Sequence, residues 1–302
     1  MHYLVTGGAG FIGTNLVVRL LKDGHKVRVF DNFSAGRRED RIQKDAEYFE
    51  GDIRNMEDLR KAMQGIDGVF HLAAVPRVTY SVEHPIETNE NNITGTLNVL
   101  VAARDAGVKR LVFSSSSSVY GGSDGSKLQE DMCGHPLSPY ALHKYTGEMY
   151  CRLFSELYGF ETVNLRYFNV YGPFLDPNGA YALVVGKFFR QRSNNEPMTI
   201  CGDGEYYRDY THVSDIVEAN ALAMKSNQVG KGEIFNIGVG SACSVNKLAK
   251  LIGGKTVFVP DRPGDPRRSE ADNTRSREIL GWKPKVSLEE GIKMMKKEWG
   301  LK

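Results

Sequence analysis

The sequence predicts an α/β protein: a doubly wound parallel sheet with a smaller C-terminal α/β domain. Two observations carry that expectation. Short apolar runs alternate with longer segments of helical period, the pattern of strands joined by crossover helices. The first such run, Tyr3 to Val5, leads through Thr6 into the glycine-spaced loop GGAGFIG, Gly7 to Gly13. That loop opens a helix predicted over Phe11–Lys22, with Gly24 as its stop.

Glycines at positions 7, 10 and 13 allow a tight turn, a close approach of main chain to a pyrophosphate, and packing of the new helix on the sheet. This is the loop of a Rossmann-type dinucleotide fold, although such a turn alone is also met as plain structure. Asp31 strengthens it. A second strand, Val27 to Phe30, ends in this carboxylate eighteen residues after Gly13. There it accepts hydrogen bonds from the adenosine ribose and repels a 2′-phosphate, so the expected cofactor is NAD rather than NADP. A surface aspartate after an ordinary strand is the bland alternative.

A chain of 302 residues supports one sizeable domain or two coupled ones. The 39 basic and 37 acidic residues leave a net charge of +2, so nothing in the balance calls for nucleic acid or an anionic membrane. Arg37, Arg38 and Arg41 are interleaved with Glu39 and Asp40 and read as a solvated face. Cys133, Cys151, Cys201 and Cys243 show neither a disulfide framework nor metal-ligand spacing, and are expected as free thiols in a reducing compartment. With no membrane-length apolar stretch and a strand at the very start, the cytoplasm is the expected location.

The remaining elements follow in order. Glu47 to Glu50 reads as a strand before GDIRN, Gly51 to Asn55, where Asp52 and Ile53 sit at a strand's carboxyl end. Asp52 there suits an adenine edge, or else caps the segment Met56 to Met63. A strand from Val69 to Leu72 runs into Ala73 and Ala74, small enough to let a cofactor lie on the main chain. Ile86 to Ala106 reads as one long helix carrying Asn89, Asn91 and Asn92; asparagine is a poor helix former, so the cluster suggests a hydrogen-bonding duty or simple exposure.

The chemistry lies between Arg110 and Glu148. A strand, Leu111 to Phe113, delivers SSSSSVYG, Ser114 to Gly121, and a loop leads to SPYALHKYTGE, Ser138 to Glu148. Tyr140 and Lys144, four residues apart, project from one face of a helix. A nearby ammonium and a positive nicotinamide ring lower a phenol's pKa from its reference near 10, which makes Tyr140 a candidate general base and acid.

GGAGFIG, Asp31, GDIRN, HLAA, SSSSSVYG, YALHK, LRYFNVYGP (Leu165 to Pro173) and YRDYTHVSD (Tyr207 to Asp215) together resemble the extended short-chain dehydrogenases/reductases. Within these the chain is most similar to the nucleotide-sugar 4-epimerases, the UDP-glucose and UDP-N-acetylglucosamine 4-epimerase group. The resemblance spans essentially the whole chain. It implies Tyr140 as the catalytic base, Lys144 on the nicotinamide ribose, and Ser116 on the sugar's 4-oxygen, with Ser115 and Ser117 as neighbours in the same run. NAD is expected against Gly7, Gly10, Phe11, Ile12, Gly13, Asp31, Asn32, Ser34, Gly36, Asp52, Ile53, Leu72, Ala73, Ala74, Asn92, Ser114, Tyr140, Lys144, Tyr167 and Phe168. The UDP-sugar is expected against Ser116, Tyr140, Asn169, Leu183, Val184, Thr199, Cys201, Arg208, Arg262, Asp265 and Ser269, and no metal is expected. A salt bridge to Asp209 or Asp215 is the structural alternative for Arg208, and an ordinary turn is the alternative for Arg262 and Asp265.

The mechanism implied is proton removal from the 4-hydroxyl by Tyr140 with hydride transfer from C4, rotation of the 4-keto sugar, and return of the hydride to its other face. The related 4,6-dehydratases and glucuronate decarboxylases carry an acid just before VYG, where this chain has Ser117 and Ser118. Ser269 stands where some members carry a tyrosine that narrows the pocket, so N-acetylhexosamines are expected as well as hexoses. Cys201 stands where an aromatic commonly flanks the uracil, and Val75, Pro76 and Arg77 replace a lysine found after HLAA in some members. UDP-glucuronate 4-epimerase is a competing enzyme reading, mildly opposed by Asn169, and a non-catalytic NAD-sensing regulator is a third.

The expected division is a cofactor domain over residues 1–168, with 210–238 returning to it, and a nucleotide-sugar domain over 169–209 and 239–302. Trp282 and the helix from Leu288 to Trp299 are expected to close the smaller domain's core. The resemblance implies a homodimer joined by the helices containing Asn91 and Tyr140.

Overall fold

The computed structural model describes residues 1–176, 184–261 and 266–301. In chain order the strands are β1 (His2–Thr6), β2 (Lys26–Asp31), β3 (Glu47–Glu50), β4 (Gly68–His71), β5 (Arg110–Ser116), β6 (Glu161–Tyr167), β7 (Val170–Tyr171), β8 (Met198–Cys201), β9 (Tyr207–Arg208), β10 (Thr211–His212), β11 (Lys231–Ile237), β12 (Cys243–Ser244), β13 (Thr256–Val259) and β14 (Arg268–Ser269). The helices are α1 (Phe11–Lys22), α2 (Met56–Ala62), α3 (Val78–Glu83), α4 (Pro85–Asn89), α5 (Gly95–Asp105), α6 (Pro139–Tyr158), α7 (Val184–Ser193), α8 (Val213–Lys225), α9 (Val245–Ile252), α10 (Thr274–Leu280) and α11 (Leu288–Glu298).

Seven parallel strands form the main sheet in the order β11-β6-β5-β4-β1-β2-β3, a Rossmann-type arrangement. Strand order reverses between β1 and β4, and the carboxyl ends at that switch point open a crevice, the place where such sheets bind ligands. Both faces of the sheet are covered, so side chains of period two divide between two cores. Tyr3 and Val5 of β1 meet α1 and α8 on one side through Leu16, Val17, Ile216 and Val217. Leu4, between them, points to the other side with Leu59, Leu100 and Phe154 of α2, α5 and α6. A third core, built from Phe188, Phe189, Ile200, Leu248, Ile292 and Met295, belongs to the C-terminal part.

Three expectations change. Trp282 is fully buried in the core beneath the main sheet and not in the smaller one, because its indole N–H donates to the Asp215 carbonyl of α8 at 2.8 Å. The segment expected as one helix from Ile86 is helical throughout but in three pieces, α4, a wide π turn over Glu90–Thr94, and α5. The asparagines explain the widening: Asn91 donates to the Glu87 carbonyl at 3.0 Å, and the extra residue turns Asn92 inward. Finally, α2 is capped by Asn55, whose side chain accepts from Glu57 and Asp58, and not by Asp52.

Candidate active site

The glycine loop is tight enough to explain each glycine. A Cβ on Gly13 would lie 2.2 Å from the Gly7 carbonyl oxygen, and one on Gly7, at φ +68°, would lie 2.7 Å from the Ala73 nitrogen. Gly10 forms the N-cap of α1 without a side chain to satisfy the first-turn N–H groups. Those N–H groups and the helix dipole face the crevice, a ready anion cradle, and Phe11 and Ile12 anchor the first turn in the core. Gly13→Ala is expected to weaken NAD retention by at least about tenfold, read as the cofactor released when the purified variant is denatured.

Asp31 is held at the rim. One oxygen accepts the Ala9 N–H at 3.0 Å and the other the Phe33 N–H at 2.8 Å, while burial raises its pKa. The loop beyond is shaped by Asn32, which accepts the Ser34 N–H, and by Gly36 at φ +89°. Asp52 lies beside it, bound by the Arg54 guanidinium and by Asn32, and the Arg54 bonds lower its pKa to about 2. Ile53 and Phe168 have their side chains in apolar clusters, so any contact they make with a ligand is through main chain. Arg41, expected on a solvated face, is buried instead: its guanidinium donates to the carbonyls of Ala9 and Phe174, tying the glycine loop to the chain entering the smaller part.

The floor of the crevice is a chain of polar contacts. Leu72 and Ala73 donate N–H groups to Thr6, and His71, fully buried and held near a pKa of about 3 by that burial, joins Thr6 to Thr96. Ala74 is followed by Val75, whose N–H and carbonyl are both bound by Asn92. The same Asn92 amide reaches His143 on α6. Asn92, expected against NAD, thus also clamps the loop after β4 to α6.

At the end of β5, the structure brings Ser116, Tyr140 and Lys144 together. Ser138 caps α6 and Pro139 starts it, so Tyr140 and Lys144 lie on successive turns, and the Tyr140 N–H is taken by Ser81 of α3 at 3.0 Å. The Ser116 hydroxyl lies near enough to the Tyr140 phenol to act on its pKa. Lys144 donates to the Ser114 carbonyl at 2.6 Å and lies 4.8 Å from the Phe113 ring. Burial pushes the Tyr140 phenol up to about 12, opposed only by the Ser116 hydroxyl, and burial pushes Lys144 down to about 8. The Ser114 hydroxyl bonds Tyr167, whose own hydroxyl also meets Asn220.

Beneath them lies a group the spacing argument missed. Glu148, one turn past Lys144, accepts from the Ser115 hydroxyl and from two nitrogens of Arg166. Glu148 and Arg166 are fully buried, and Arg166 stacks 4.5 Å from the Tyr120 ring. The signal was present in the sequence: a carboxylate repeating the Tyr140, Lys144 interval on a buried face.

On the far side of the crevice, Ser269 of β14 pairs directly with Arg208 of β9. Asp209 and Asp215, the alternative partners for Arg208, have carboxylates occupied by main-chain N–H groups, those of Val239, Gly240 and Ala271 and those of Lys285 and Val286. Burial raises Asp209 to about 6. Asn169, at φ +25°, donates to the Asp209 carbonyl. Thr199 is fixed to Gln191, Cys201 is a half-buried free thiol at the end of β8, and Val184 opens α7 against the third core. Leu183, Arg262 and Asp265 lie outside the described residues. Among the described residues no cluster of side chains could hold a metal ion, and no helix is long and apolar enough to cross a membrane.

A doubly wound sheet with a glycine phosphate cradle and a Ser–Tyr–Lys set beside it is the arrangement of a dinucleotide-dependent enzyme of the short-chain dehydrogenase/reductase kind. The chain belongs to the NAD dependent epimerase/dehydratase family, whose model matches residues 3–238. A UDP-glucose 4-epimerase of Mycolicibacterium smegmatis is 41% identical over 305 residues, covering 97% of this chain and 96% of that protein. The structure of UDP-glucose 4-epimerase from Thermotoga maritima, solved with UDP-glucose, superposes with a TM-score of 0.91 at 42% identity and covers 97% of each chain. A UDP-N-acetylglucosamine 4-epimerase from Methanobrevibacter ruminantium superposes at 0.90 with 35% identity, covering 98% of each chain.

Proposed function

We propose that the chain is an NAD-dependent UDP-hexose 4-epimerase, interconverting UDP-glucose with UDP-galactose and also UDP-GlcNAc with UDP-GalNAc. Tyr140, Lys144 and Ser116 are its catalytic residues. The observation that carries this reading is the gathering of Ser116, Tyr140 and Lys144 at the end of β5, with serines and no acid at 117 and 118. NAD, held by the glycine loop, Asp31 and the Leu72–Ala74 floor, supplies a hydride acceptor for C4 and a positive ring that favours the phenolate. Tyr140 takes the 4-hydroxyl proton and later returns it. Ser116 donates to the 4-oxygen, which gains carbonyl character as the proton leaves. Lys144, fixed on the Ser114 carbonyl, holds the nicotinamide ribose. Since one tyrosine serves both directions, epimerisation asks only that the 4-keto sugar present its other face.

Arg208 and Arg262 grip the diphosphate, for which a guanidinium fork is suited, and Asp265 takes the ribose. Asn169, Leu183, Val184, Thr199 and Cys201 line the nucleotide and sugar. Ser269, small and adjacent to Arg208, leaves room for a 2-acetamido group. Residues 1–168 and 210–238 form the cofactor domain, and 169–209 with 239–302 the nucleotide-sugar domain, whose α10 and Trp282 pack back on the first. The protein works in the cytoplasm as a homodimer. Exposed Ile86 (77%) on α4, with Leu142 (48%), Leu153 (42%) and Leu157 (64%) at helical spacing on α6, supports a contact through those helices.

Proton NMR of the anomeric region tests the reading, with purified protein and no added cofactor given UDP-galactose and UDP-GalNAc in separate tubes. Both gluco epimers are expected. Conversion of UDP-galactose alone contradicts the open pocket at Ser269, and no conversion in either tube after adding NAD contradicts the epimerase.

A further inference from the structure

Ser118 is not among the residues assigned a role above, yet it makes two hydrogen bonds to one atom. Its hydroxyl donates to Ser116 Oγ at 2.9 Å and its main-chain N–H donates to the same oxygen at 3.2 Å. A serine hydroxyl has two lone pairs and one hydrogen. We infer that Ser118 is a positioning residue that fills both lone pairs of Ser116 Oγ, so that the Ser116 hydroxyl can serve only as a donor, toward the Tyr140 oxygen or the sugar's 4-oxygen in turn.

The consequence is directional and rests on the proposed roles of Ser116 and Tyr140. A donor-only serine favours the phenolate over the phenol before the proton moves, and the 4-carbonyl over the 4-hydroxyl after it has moved. The short helical turn over Ser117–Tyr120 makes the arrangement local, since Ser116 is its N-cap and bends Ser118 back over it. Gly121, at φ +73°, then ends the turn. With alanine at 118, one lone pair of Ser116 becomes free, and Tyr140 can donate to it. That favours the neutral phenol.

The test compares Ser118→Ala and Ser118→Thr in the NAD-loaded protein, each against its own Tyr140→Phe counterpart. Phenolate absorbance is followed across pH, together with kcat and KM for UDP-galactose. The titratable groups around Tyr140 are common to all variants: His143, Lys144 and Glu148 on its own helix, and Arg77, Tyr80 and Glu83 on or flanking α3, which packs against α6. Ser118→Ala is expected to shift the phenol titration upward by as much as about one pH unit, to lower kcat roughly two- to tenfold, and to leave KM and bound NAD unchanged. Ser118→Thr, which keeps the hydroxyl, is expected to restore both. An unchanged phenol titration in Ser118→Ala overturns the inference, as does a threonine variant as impaired as the alanine one. If the unmodified protein turns over no UDP-galactose, the epimerase reading fails while the phenol titration still decides the role of Ser118.

Discussion

Tyr140→Phe retains bound NAD and loses turnover by a factor on the order of 10²–10⁴. The ring stays in place because the helix that carries it is set by the Ser138 cap and by the Ser81 bond to the Tyr140 main chain, neither of which involves the phenol. What is lost is the single group proposed both to remove and to return the sugar's proton. Cofactor content is measured on the denatured protein and kcat by coupled assay. Equal loss of NAD and activity would mean that the substitution damaged the fold and would leave the catalytic assignment without support.

Glu148→Ala destabilises the protein by about 3–5 kcal/mol, because it strands the Arg166 guanidinium in a dry interior. Both side chains are fully buried, and Glu148 is the acceptor for Arg166 Nε and Nη2 at 2.8 and 2.6 Å as well as for the Ser115 hydroxyl. The pair also fixes α6 against the ends of β5 and β6, the geometry on which Ser116 and Tyr140 depend. The midpoint of urea unfolding reports the loss, and replacing both members together by apolar residues of similar volume is expected to recover most of it. A single variant that unfolds at the midpoint of the parent would remove the pair from any account of how the site is held.

Much of this arrangement was legible where contacts are local. The strand, glycine loop and helix at residues 2–22 follow from adjacent residues, and Asp31 is placed by the length of one helix and one strand. Tyr140 and Lys144 share a face because four residues are nearly one helical turn. What escaped depends on partners far away in sequence. The direction of the Lys144 side chain is set by the Ser114 carbonyl, thirty residues earlier, which no local spacing announces. Trp282 went to the other core because its indole found Asp215, and Arg41 left the surface for carbonyls at Ala9 and Phe174. Asp209, which gathers three N–H groups from two separate segments, carries no local pattern that distinguishes it from a salt-bridge partner of Arg208.

Internal return of hydrogen to the same carbon is the core of the account, and a label at that carbon tests it. UDP-galactose carrying deuterium at C4 is incubated in ordinary water with the purified protein and no added cofactor, and the UDP-glucose formed is isolated and examined by NMR and mass spectrometry. The account predicts UDP-glucose with its deuterium still at C4. UDP-glucose with protium there, the label having passed to solvent, would contradict it.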